Sequence, residues 1–314
     1  MTTFAELWSQ DVANRILPDA ERLGRYRAAA AASEDTRALV RRVGDMIPAH
    51  PFLAVLVAHA IDPERFGLAV SRALTQMDLE VLARALLATG LVDEACPQIL
   101  HDARGGFRPA LGLLDRVGAI GPERWYYAQE HTVLQTAPGP ARCHTTRWLG
   151  RIHPQGRVVA ADPSALPTAP SLPGVQFFER LNARAVQAEV EGFGVRRAAL
   201  ILEPLRMKDS IVDFAPVLTA DGRPWTLLVD TATVAVCDEA TARQLKPGQV
   251  SSLTSTLAGL GTVNVGKRVR DAVAGCDTGL GDGAFPASVG FDATGAPRVL
   301  VIDLLPRAQN GQPS

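Results

Sequence analysis

The feature that most constrains the fold is a glycine-spaced acidic bend near the carboxyl end. Glycines occupy every second position in residues 279–283, with Asp277 and Asp282 beside and among them. This spacing allows left-handed main-chain conformations, and aspartate carboxylates commonly accept hydrogen bonds from turn amides. Pro286 restricts the preceding Phe285 to extended geometry. The segment therefore predicts a tight bend that leads into a strand and not into a helix.

Two strands are predicted directly after this bend. Residues 292–295 match a type I turn with its glycine, Gly295, at the last position, a connection that joins antiparallel strands. The segment 299–305 is almost continuously apolar, which is typical of a strand buried on both faces. The carboxyl-terminal part of the chain therefore predicts sheet structure organised around the bend.

Charge and hydropathy argue against two classes of partner. The 314 residues carry a formal net charge of −1, and the basic residues form no stripe of the kind that nucleic-acid binding needs. The longest apolar run, residues 52–61, is shorter than the roughly 20 residues that cross a bilayer, and it contains His59. We therefore expect neither a nucleic-acid partner nor a membrane.

The cysteines predict a reducing compartment. Cys96, Cys143, Cys237 and Cys276 form no CxxC pair and have no metal-ligand spacing. In a chain of this length such cysteines are typical of reduced, mostly buried thiols. Residues 1–11 contain acidic side chains and no apolar run, so no signal peptide is predicted. These features predict a cytoplasmic protein.

Composition divides the chain into a helical part and a β-rich part. Residues 1–135 carry Ala, Leu and Arg at helical spacing and predict about seven or eight helices in a bundle or short helical array. Residues 136–147 are interpreted as a linker, 148–306 as strands and turns, and 307–314 as a flexible tail. The predicted fold class is α+β, an all-helical N-terminal domain followed by a mostly antiparallel β-rich C-terminal domain.

Four motifs follow one another in the β-rich part. A Gly-Arg segment with an apolar run and an Asp-Pro end stands at 156–163, and a Val-Asp strand end with a following helix start stands at 229–240. The Gly-x-Gly-Asp-Gly-x-Phe-Pro loop stands at 279–286, and a strand ending in Val-Ile-Asp at 301–303. In this order the motifs resemble a bacterial domain-of-unknown-function family, number 4241, over residues 146–305.

The resemblance implies only the fold and the boundaries of the β-rich part, because it brings no known activity with it. Two positions depart from the family pattern: Phe285 stands where tyrosine is usual, and Ala232 stands where glycine is usual. The first departure removes a hydroxyl that a catalytic interpretation would use. Residues 1–135 have no counterpart in the resemblance.

The bend is the first candidate site. Asp277 and Asp282 are suited to a small ligand or a hard cation, which takes carboxylate and carbonyl oxygens. Their spacing does not match an EF-hand loop. We favour the alternative that these carboxylates accept hydrogen bonds from main-chain amides and fix the turn.

Other carboxylates lie at predicted strand ends or helix caps: Asp162, Asp230, Asp238 and Asp303. Together at one end of a sheet they would form a hydrolytic or metal site, but separate caps and turns are the favoured interpretation. The candidate ligand-binding residues are Asp230, Asp238, Asp277, Gly281, Asp282, Gly283 and Phe285, and no catalytic residue is assigned.

Cys143 and His144 are an adjacent thiol and imidazole, in the predicted linker. Neighbours in sequence seldom face each other in the geometry that a thiol nucleophile and its base require. We therefore interpret the pair as exposed and inert.

The lack of a recognisable catalytic set in the sequence favours a non-catalytic protein. It would bind a protein partner or a small ligand through an edge of the C-terminal sheet or through residues 279–286, as an accessory or immunity-type bacterial protein. No cofactor is predicted. The alternative is a metal-dependent hydrolase that uses Asp230, Asp277 and Asp282 around a divalent cation, which requires these carboxylates to converge. A third possibility, a scaffold, predicts a large exposed apolar face on residues 1–135.

Overall fold

The computed structural model describes residues 2–33, 35–205, 211–266 and 272–307, without the side chains of residues 258–260. The chain separates into two compact units, Met1–Ile120 and Gly121–Ser314. The first is helical, and the second is built mainly from antiparallel strands. The predicted α+β class, with helices before strands, is confirmed.

Eight α-helices are described in the first unit. They are α1 (Phe4–Asn14), α2 (Ala20–Ala31), α3 (Thr36–Met46), α4 (Pro51–Ile61), α5 (Phe66–Ala73), α6 (Leu79–Thr89), α7 (Val92–Arg104) and α8 (Arg108–Val117). A short 3-10 turn at Pro63–Arg65 lies between α4 and α5. Side-chain caps define several of the starts, since Asp19, Asp35 and Asp78 each accept a main-chain N–H of the helix that follows.

The apolar helix α4 forms the core of this unit. Seven of its eleven residues are buried, and it packs against α2, α3 and α6. The apolar run at residues 52–61 is therefore an internal helix, as its length indicates. Within the described ranges, no helix combines the length and the apolar character that a membrane crossing requires.

The second unit contains three helices and thirteen strands in its described part. The helices are α9 (Arg124–Tyr127), α10 (Glu239–Gln244) and α11 (Pro247–Leu260). The strands are β1 (Val133–Thr136), β2 (Gly139–Ile152), β3 (Gly156–Ala161), β4 (Ser171–Phe177), β5 (Leu181–Val190), β6 (Gly194–Pro204), β7 (Asp213–Pro216), β8 (Thr226–Val229), β9 (Thr233–Asp238), β10 (Thr262–Asn264), β11 (Ala272–Asp277), β12 (Gly283–Phe291) and β13 (Pro297–Asp303).

These strands form two sheets. The larger has the order β1-β2-β5-β6-β13-β12-β7, with β8 also paired to β12, and the smaller has the order β10-β11-β9-β3-β4. Every pairing between the described strands is antiparallel. The turn predicted at 292–295 joins β12 and β13, with Gly295 at φ 78° and its N–H donating to the carbonyl of Asp292 at 2.9 Å.

One apolar core lies between the two sheets. Ala185, Leu200 and Leu300 contribute from the larger sheet, and Val158 and Val236 from the smaller sheet. The helix α11 adds Leu253 and Leu257 to the same core. Side chains alternate between the two faces of a sheet along each strand, so the remaining side chains of the larger sheet lie on the face away from this core.

That opposite face is covered in part by α9. The guanidinium of Arg124 lies 3.1 Å from a carboxylate oxygen of Asp303, and the indole N–H of Trp125 donates to the same carboxylate at 2.8 Å. All three residues are buried. Burial raises the pKa of Asp303, and the charge of Arg124 opposes that rise. Asp303 therefore fixes α9 on the sheet and is not part of an acidic cluster.

These contacts shift the boundary between the two units away from the predicted place. The helical domain expected at residues 1–135 ends at Ile120, because α9 packs on the sheet of the second unit. The predicted linker at residues 136–147 is instead mostly the strand β2, in which Ala141 and Cys143 are buried in alternation with exposed neighbours. The predicted tail at 307–314 lies, apart from Arg307, outside the described residues.

Candidate functional site

The predicted bend lies beside a second turn, and both connect the two sheets. Residues 278–282 lead from β11 to β12, and residues 230–232 lead from β8 to β9. Asp277 pairs with Thr233, and Gly283 pairs with Val229, so the two connections run next to each other. The strand β12 begins at Gly283, which confirms that the bend leads into a strand. We call the two connections together the crossover.

Two carboxylates accept three successive main-chain N–H groups at the crossover. Asp162, just after β3, accepts from Asp230 at 3.0 Å and from Thr231 at 2.8 Å. Asp282, in the bend, accepts from Ala232 at 3.0 Å. Because an unpaired main-chain N–H is costly away from water, these bonds stabilise the turn at residues 230–232 in one conformation.

Asp162 is buried, and both of its carboxylate oxygens accept hydrogen bonds. Its second carboxylate oxygen accepts from the N–H of Ser164 at 2.9 Å and from the Ser164 hydroxyl at 2.6 Å. Burial by itself would raise the pKa of Asp162, but the hydrogen bonds from Ser164, Thr231 and Asp230 outweigh it and hold that pKa below its ordinary value. Asp162 is therefore an ionised structural acceptor.

The bend and the turn are also joined through Thr278 and Ala232. The buried Thr278 donates its N–H to the carbonyl of Ala232 at 2.9 Å, and its hydroxyl hydrogen-bonds to the carbonyl of Gly281. Ala232 has φ 52°, in the left-handed region that favours glycine. This left-handed conformation would favour a glycine at position 232, the residue that the sequence resemblance predicts there.

A close approach of β6 explains one glycine of the bend. Gly279 has φ 76°, and a Cβ atom there would lie 2.8 Å from the main-chain nitrogen of Arg197. Arg197 also places its Nε 3.5 Å from a carboxylate oxygen of Asp277. Any side chain at residue 279 would therefore displace either the bend or β6.

The predicted site residues do not all meet. Asp230 and Asp282 lie on adjacent connections of the crossover and are both exposed. Asp238 lies at the other end of β9, roughly 17 Å away along a strand of this length. There it is the N-cap of α10, accepting from Ala240 at 2.8 Å, and it also accepts from Gln155 at 2.7 Å. Its role as a helix cap agrees with the favoured interpretation.

Packing and main-chain conformation account for Phe285 and for the nearby Gly281 and Gly283. Phe285 is 4% exposed and belongs to the core between the sheets, where it pairs with Leu227 of β8. Its ring lies against Gly283, since a Cβ atom at Gly283 would lie 3.2 Å from the ring. Gly281 has φ 100° and open space around it, so its conformation and not its packing requires glycine.

The adjacent Cys143 and His144 differ in burial. Cys143 is buried, which raises the pKa of its thiol to about 11, whereas His144 is exposed. The prediction that the pair is exposed is wrong for the thiol, because Cys143 lies on the buried face of β2. Among the described residues, no group of three or more His, Cys, Asp or Glu side chains is placed to hold a metal ion.

Sequence reasoning missed a groove beside the edge strand β4. Its volume is about 440 Å³, and it is lined by Gly174, Gln176, Phe178, Glu179, Ala296, Pro297 and Arg298. Phe178 is 69% exposed. The guanidinium of Arg298 is held by Asp292 at 2.7 Å and by Glu179 at 2.8 Å. Hydrogen bonds from Thr294 and Arg298 keep the pKa of Asp292 well below its ordinary value, so Asp292 is ionised beside Arg298 at this wall of the groove.

The first unit has a groove of its own. Its volume is about 480 Å³, and Ser71, His101 and Asp102 contribute to its walls. The hydroxyl of Ser71 hydrogen-bonds directly to Asp102, which also accepts from Gln98 at 2.9 Å. The imidazole does not lie between serine and carboxylate, so the arrangement differs from that of a Ser-His-Asp nucleophile.

Comparison of the chain with protein-family models, curated proteins and solved structures finds no significant match. The resemblance to the unknown-function family therefore stays a prediction, and the interpretation of the site depends on its geometry.

Replacing Asp162 with asparagine tests the carboxylate that organises the crossover. We expect Asp162→Asn to lower the free energy of unfolding by about 2 kcal/mol at neutral pH, since hydrogen bonds to a charged acceptor contribute more than neutral ones. The folded pKa of Asp162 lies below its ordinary 3.8. Its contribution is therefore complete above that pH and is lost as pH falls through the folded pKa.

Urea unfolding at a series of pH values measures this effect. The difference between wild type and Asp162→Asn shrinks as the pH falls from 5 towards 2. Asp230→Asn is the matched control, since the exposed Asp230 side chain has no hydrogen bond among the described residues, and it changes stability by less than about 0.5 kcal/mol. Equal effects of the two variants on stability would contradict the role of the Asp162 carboxylate in stabilising the turn.

Ala232→Gly tests the left-handed conformation of the turn. A non-glycine residue there costs about 1–2 kcal/mol, and the added freedom of glycine in the unfolded chain offsets about 0.4–1 kcal/mol of that. We expect a net stabilisation of about 0.5 kcal/mol in urea unfolding. Ala293→Gly, at an exposed turn position without positive φ, is the control and destabilises the protein. Destabilisation by both variants would show that Ala232 is unstrained.

Proposed function

We propose that this chain is a non-catalytic binding protein whose C-terminal unit takes a protein segment or a small ligand. The observation that carries the proposal is the groove beside β4. Its volume of about 440 Å³ lies within the range of ligand sites, and it combines an exposed aromatic ring with fixed polar groups. Such a groove recognises a partner that offers an apolar group to Phe178 and hydrogen-bonding groups to Gln176 and Glu179.

The contacts of the crossover support the non-catalytic part of the proposal. Asp162 and Asp282 accept main-chain N–H groups, and Asp277 lies beside Arg197. A catalytic carboxylate needs an oxygen directed at a substrate, whereas both oxygens of Asp162 and one oxygen of Asp282 accept hydrogen bonds from the protein. In this proposal the bend positions the ends of the strands that it connects. Its exposed side, with Asp230 and Gly281, is a secondary contact surface.

We propose a cytoplasmic location and an accessory or immunity-type role in a bacterium. All four cysteines are free, and Cys143, Cys237 and Cys276 are buried. Burial raises the pKa of the Cys237 and Cys276 thiols to about 12, as expected for inert thiols that do not form disulfides. These features support a reducing compartment.

A binding experiment and a turnover experiment together test this function. The ¹⁵N-labelled protein is titrated with a library of aromatic fragments that carry amide or carboxyl groups. We expect the amide signals of Gly174, Gln176 and Ala296 to shift. Phe178→Ala weakens binding about tenfold, because truncation of an aromatic anchor typically costs more than 1 kcal/mol. Phe193→Ala, at an exposed phenylalanine outside the groove, is the matched control.

The same protein is assayed with p-nitrophenyl acetate and bis(p-nitrophenyl) phosphate, with and without Mg²⁺ or Mn²⁺. We expect no turnover above that of a sample carrying Asp282→Ala. Turnover that needs a divalent cation and is abolished by Asp230→Ala, Asp277→Ala or Asp282→Ala would support the hydrolase alternative. Groove signals unmoved by every fragment would contradict binding at the groove.

A further inference from the structure

The strand β8 has a paired neighbour on one side only. It pairs with β12 over residues 226–229, where Leu228 lies opposite Ala284 and Val229 opposite Gly283. Within the described ranges, no strand pairs with β8 on its other side, and these four residues make no main-chain hydrogen bond there. In an antiparallel pair, alternate residues direct their N–H and C=O groups away from the partner strand. β8 therefore presents the unpaired main-chain groups of an edge strand.

Leu228 gives this edge an exposed apolar side chain. Its exposed fraction is 72%, the largest among the large hydrophobic side chains of the described residues. Leu227 and Val229, on either side of it, are buried in the core between the sheets, because side chains alternate along a strand. Ala284, directly opposite Leu228, is also exposed. The edge thus has an apolar surface on the face away from the core.

Two carboxylates lie at the end of this apolar surface. Asp230 follows β8 and Asp282 precedes β12, so they are the next residues of the two chains beyond the pair of Val229 and Gly283. Both are exposed. The Asp230 carboxylate has no hydrogen bond among the described residues, and Asp282 uses one oxygen to accept from Ala232. Each carboxylate therefore has an oxygen available to a partner.

The surroundings of these two carboxylates are acidic overall. Asp162 lies behind them, with a carboxylate oxygen 3.0 Å from the main-chain nitrogen of Asp230, and its lowered pKa keeps it ionised. The basic groups beside the bend are Arg196 and Arg197 of β6, and Arg197 lies 3.5 Å from the carboxylate of Asp277. The crossover carries more carboxylates than guanidinium groups, so its field attracts a cation.

We propose that β8 binds a basic, extended segment of a partner protein by strand addition. The partner's main chain pairs with residues 226–229, and an apolar side chain packs on Leu228 and Ala284. A Lys or Arg side chain of the segment meets Asp230 and Asp282. Because side chains on one face of a strand recur every two residues, the segment carries its basic residue two positions from its apolar residue. This inference rests on the proposed binding function and names the partner of the secondary contact surface.

Charge and main-chain chemistry select this occupant over two others. A second copy of the chain would offer the carboxylates Arg223, in the turn before β8, but that guanidinium is already paired with Asp221. A nucleic acid is repelled by the carboxylates and lacks the alternating N–H and C=O groups that complete a strand edge. A basic peptide satisfies the charge, the apolar surface and the main chain together.

Fluorescence anisotropy on the full chain tests the proposal with labelled twelve-residue peptides. The first repeats Val-Thr-Arg-Thr, which places Val and Arg on one face of a strand. The second has Glu in place of Arg, the third has citrulline, a neutral analogue of arginine, and the fourth is the first peptide with every main-chain nitrogen methylated. We expect the first to bind at low salt and the other three to bind at least tenfold more weakly. No binding of the first peptide, or comparable binding of any other, overturns the proposal.

The two other occupants are tested on the same protein. A twelve-nucleotide oligo-dT that binds more tightly than the first peptide overturns the proposal. Sedimentation of the unlabelled chain shows whether it self-associates, and we expect no dimer that depends on β8. A dimer that Leu228→Asp dissociates would assign the edge to a second copy and would overturn the proposal.

Variants place the binding on the edge. Asp230→Lys weakens the first peptide at least tenfold, and Leu228→Ala weakens it severalfold. The matched controls are Glu191→Lys, at an exposed carboxylate in the loop between β5 and β6, and Leu87→Ala, at an exposed leucine of α6, and both leave binding unchanged. Circular dichroism confirms that each variant is folded. A folded Asp230→Lys variant that binds as wild type does contradicts the proposal.

Amide exchange distinguishes strand addition from attraction by charge alone. Binding of the first peptide slows exchange of the outward amide protons within residues 226–229, and unchanged exchange in the bound state rules out strand addition. Phe178→Ala, which weakens groove binding, leaves peptide binding at β8 intact. Loss of peptide binding with fragment binding at the groove retained therefore refutes this inference and not the proposed function.

Discussion

The three successive N–H groups of residues 230–232 are all accepted by two carboxylates that come from distant parts of the sequence. Asp162 follows a strand of the smaller sheet, and Asp282 lies in the bend that leads back into the larger sheet. The crossover thus fixes two of the four connections by which the described strands pass between the sheets, the other two being β2 to β3 and β4 to β5. The core between the sheets depends on that alignment, because strand register determines which side chains face inward.

The local patterns of the sequence predicted the elements whose physical cause is local. The turn at 292–295, the strand after Gly283 and the helix capped by Asp238 all depend on residues within a few positions of one another. The strand β2 was missed because its glycines, proline and polar residues resemble a linker. Its burial depends on pairing with β5, about forty residues further along the chain.

The candidate site was predictable in part for the same reason. Asp282 was recognised as a turn carboxylate, but its acceptance of the Ala232 N–H joins residues 50 positions apart, which periodicity does not reveal. The groove at Phe178 combines β4 with the turn before β13. Surfaces of this kind arise from tertiary pairing, so a reading of the sequence indicates the bend but not the surfaces that it supports.

Amide hydrogen exchange followed by NMR reports whether the carboxylates of Asp162 and Asp282 hold the turn at residues 230–232. We expect the amides of Asp230, Thr231 and Ala232 to exchange slowly although they lie in a turn. We also expect Asp162→Ala to accelerate exchange at Asp230 and Thr231, and Asp282→Ala to accelerate exchange at Ala232. Exchange of all three amides at the rate of an unstructured peptide in the wild-type protein would contradict the role of these two carboxylates.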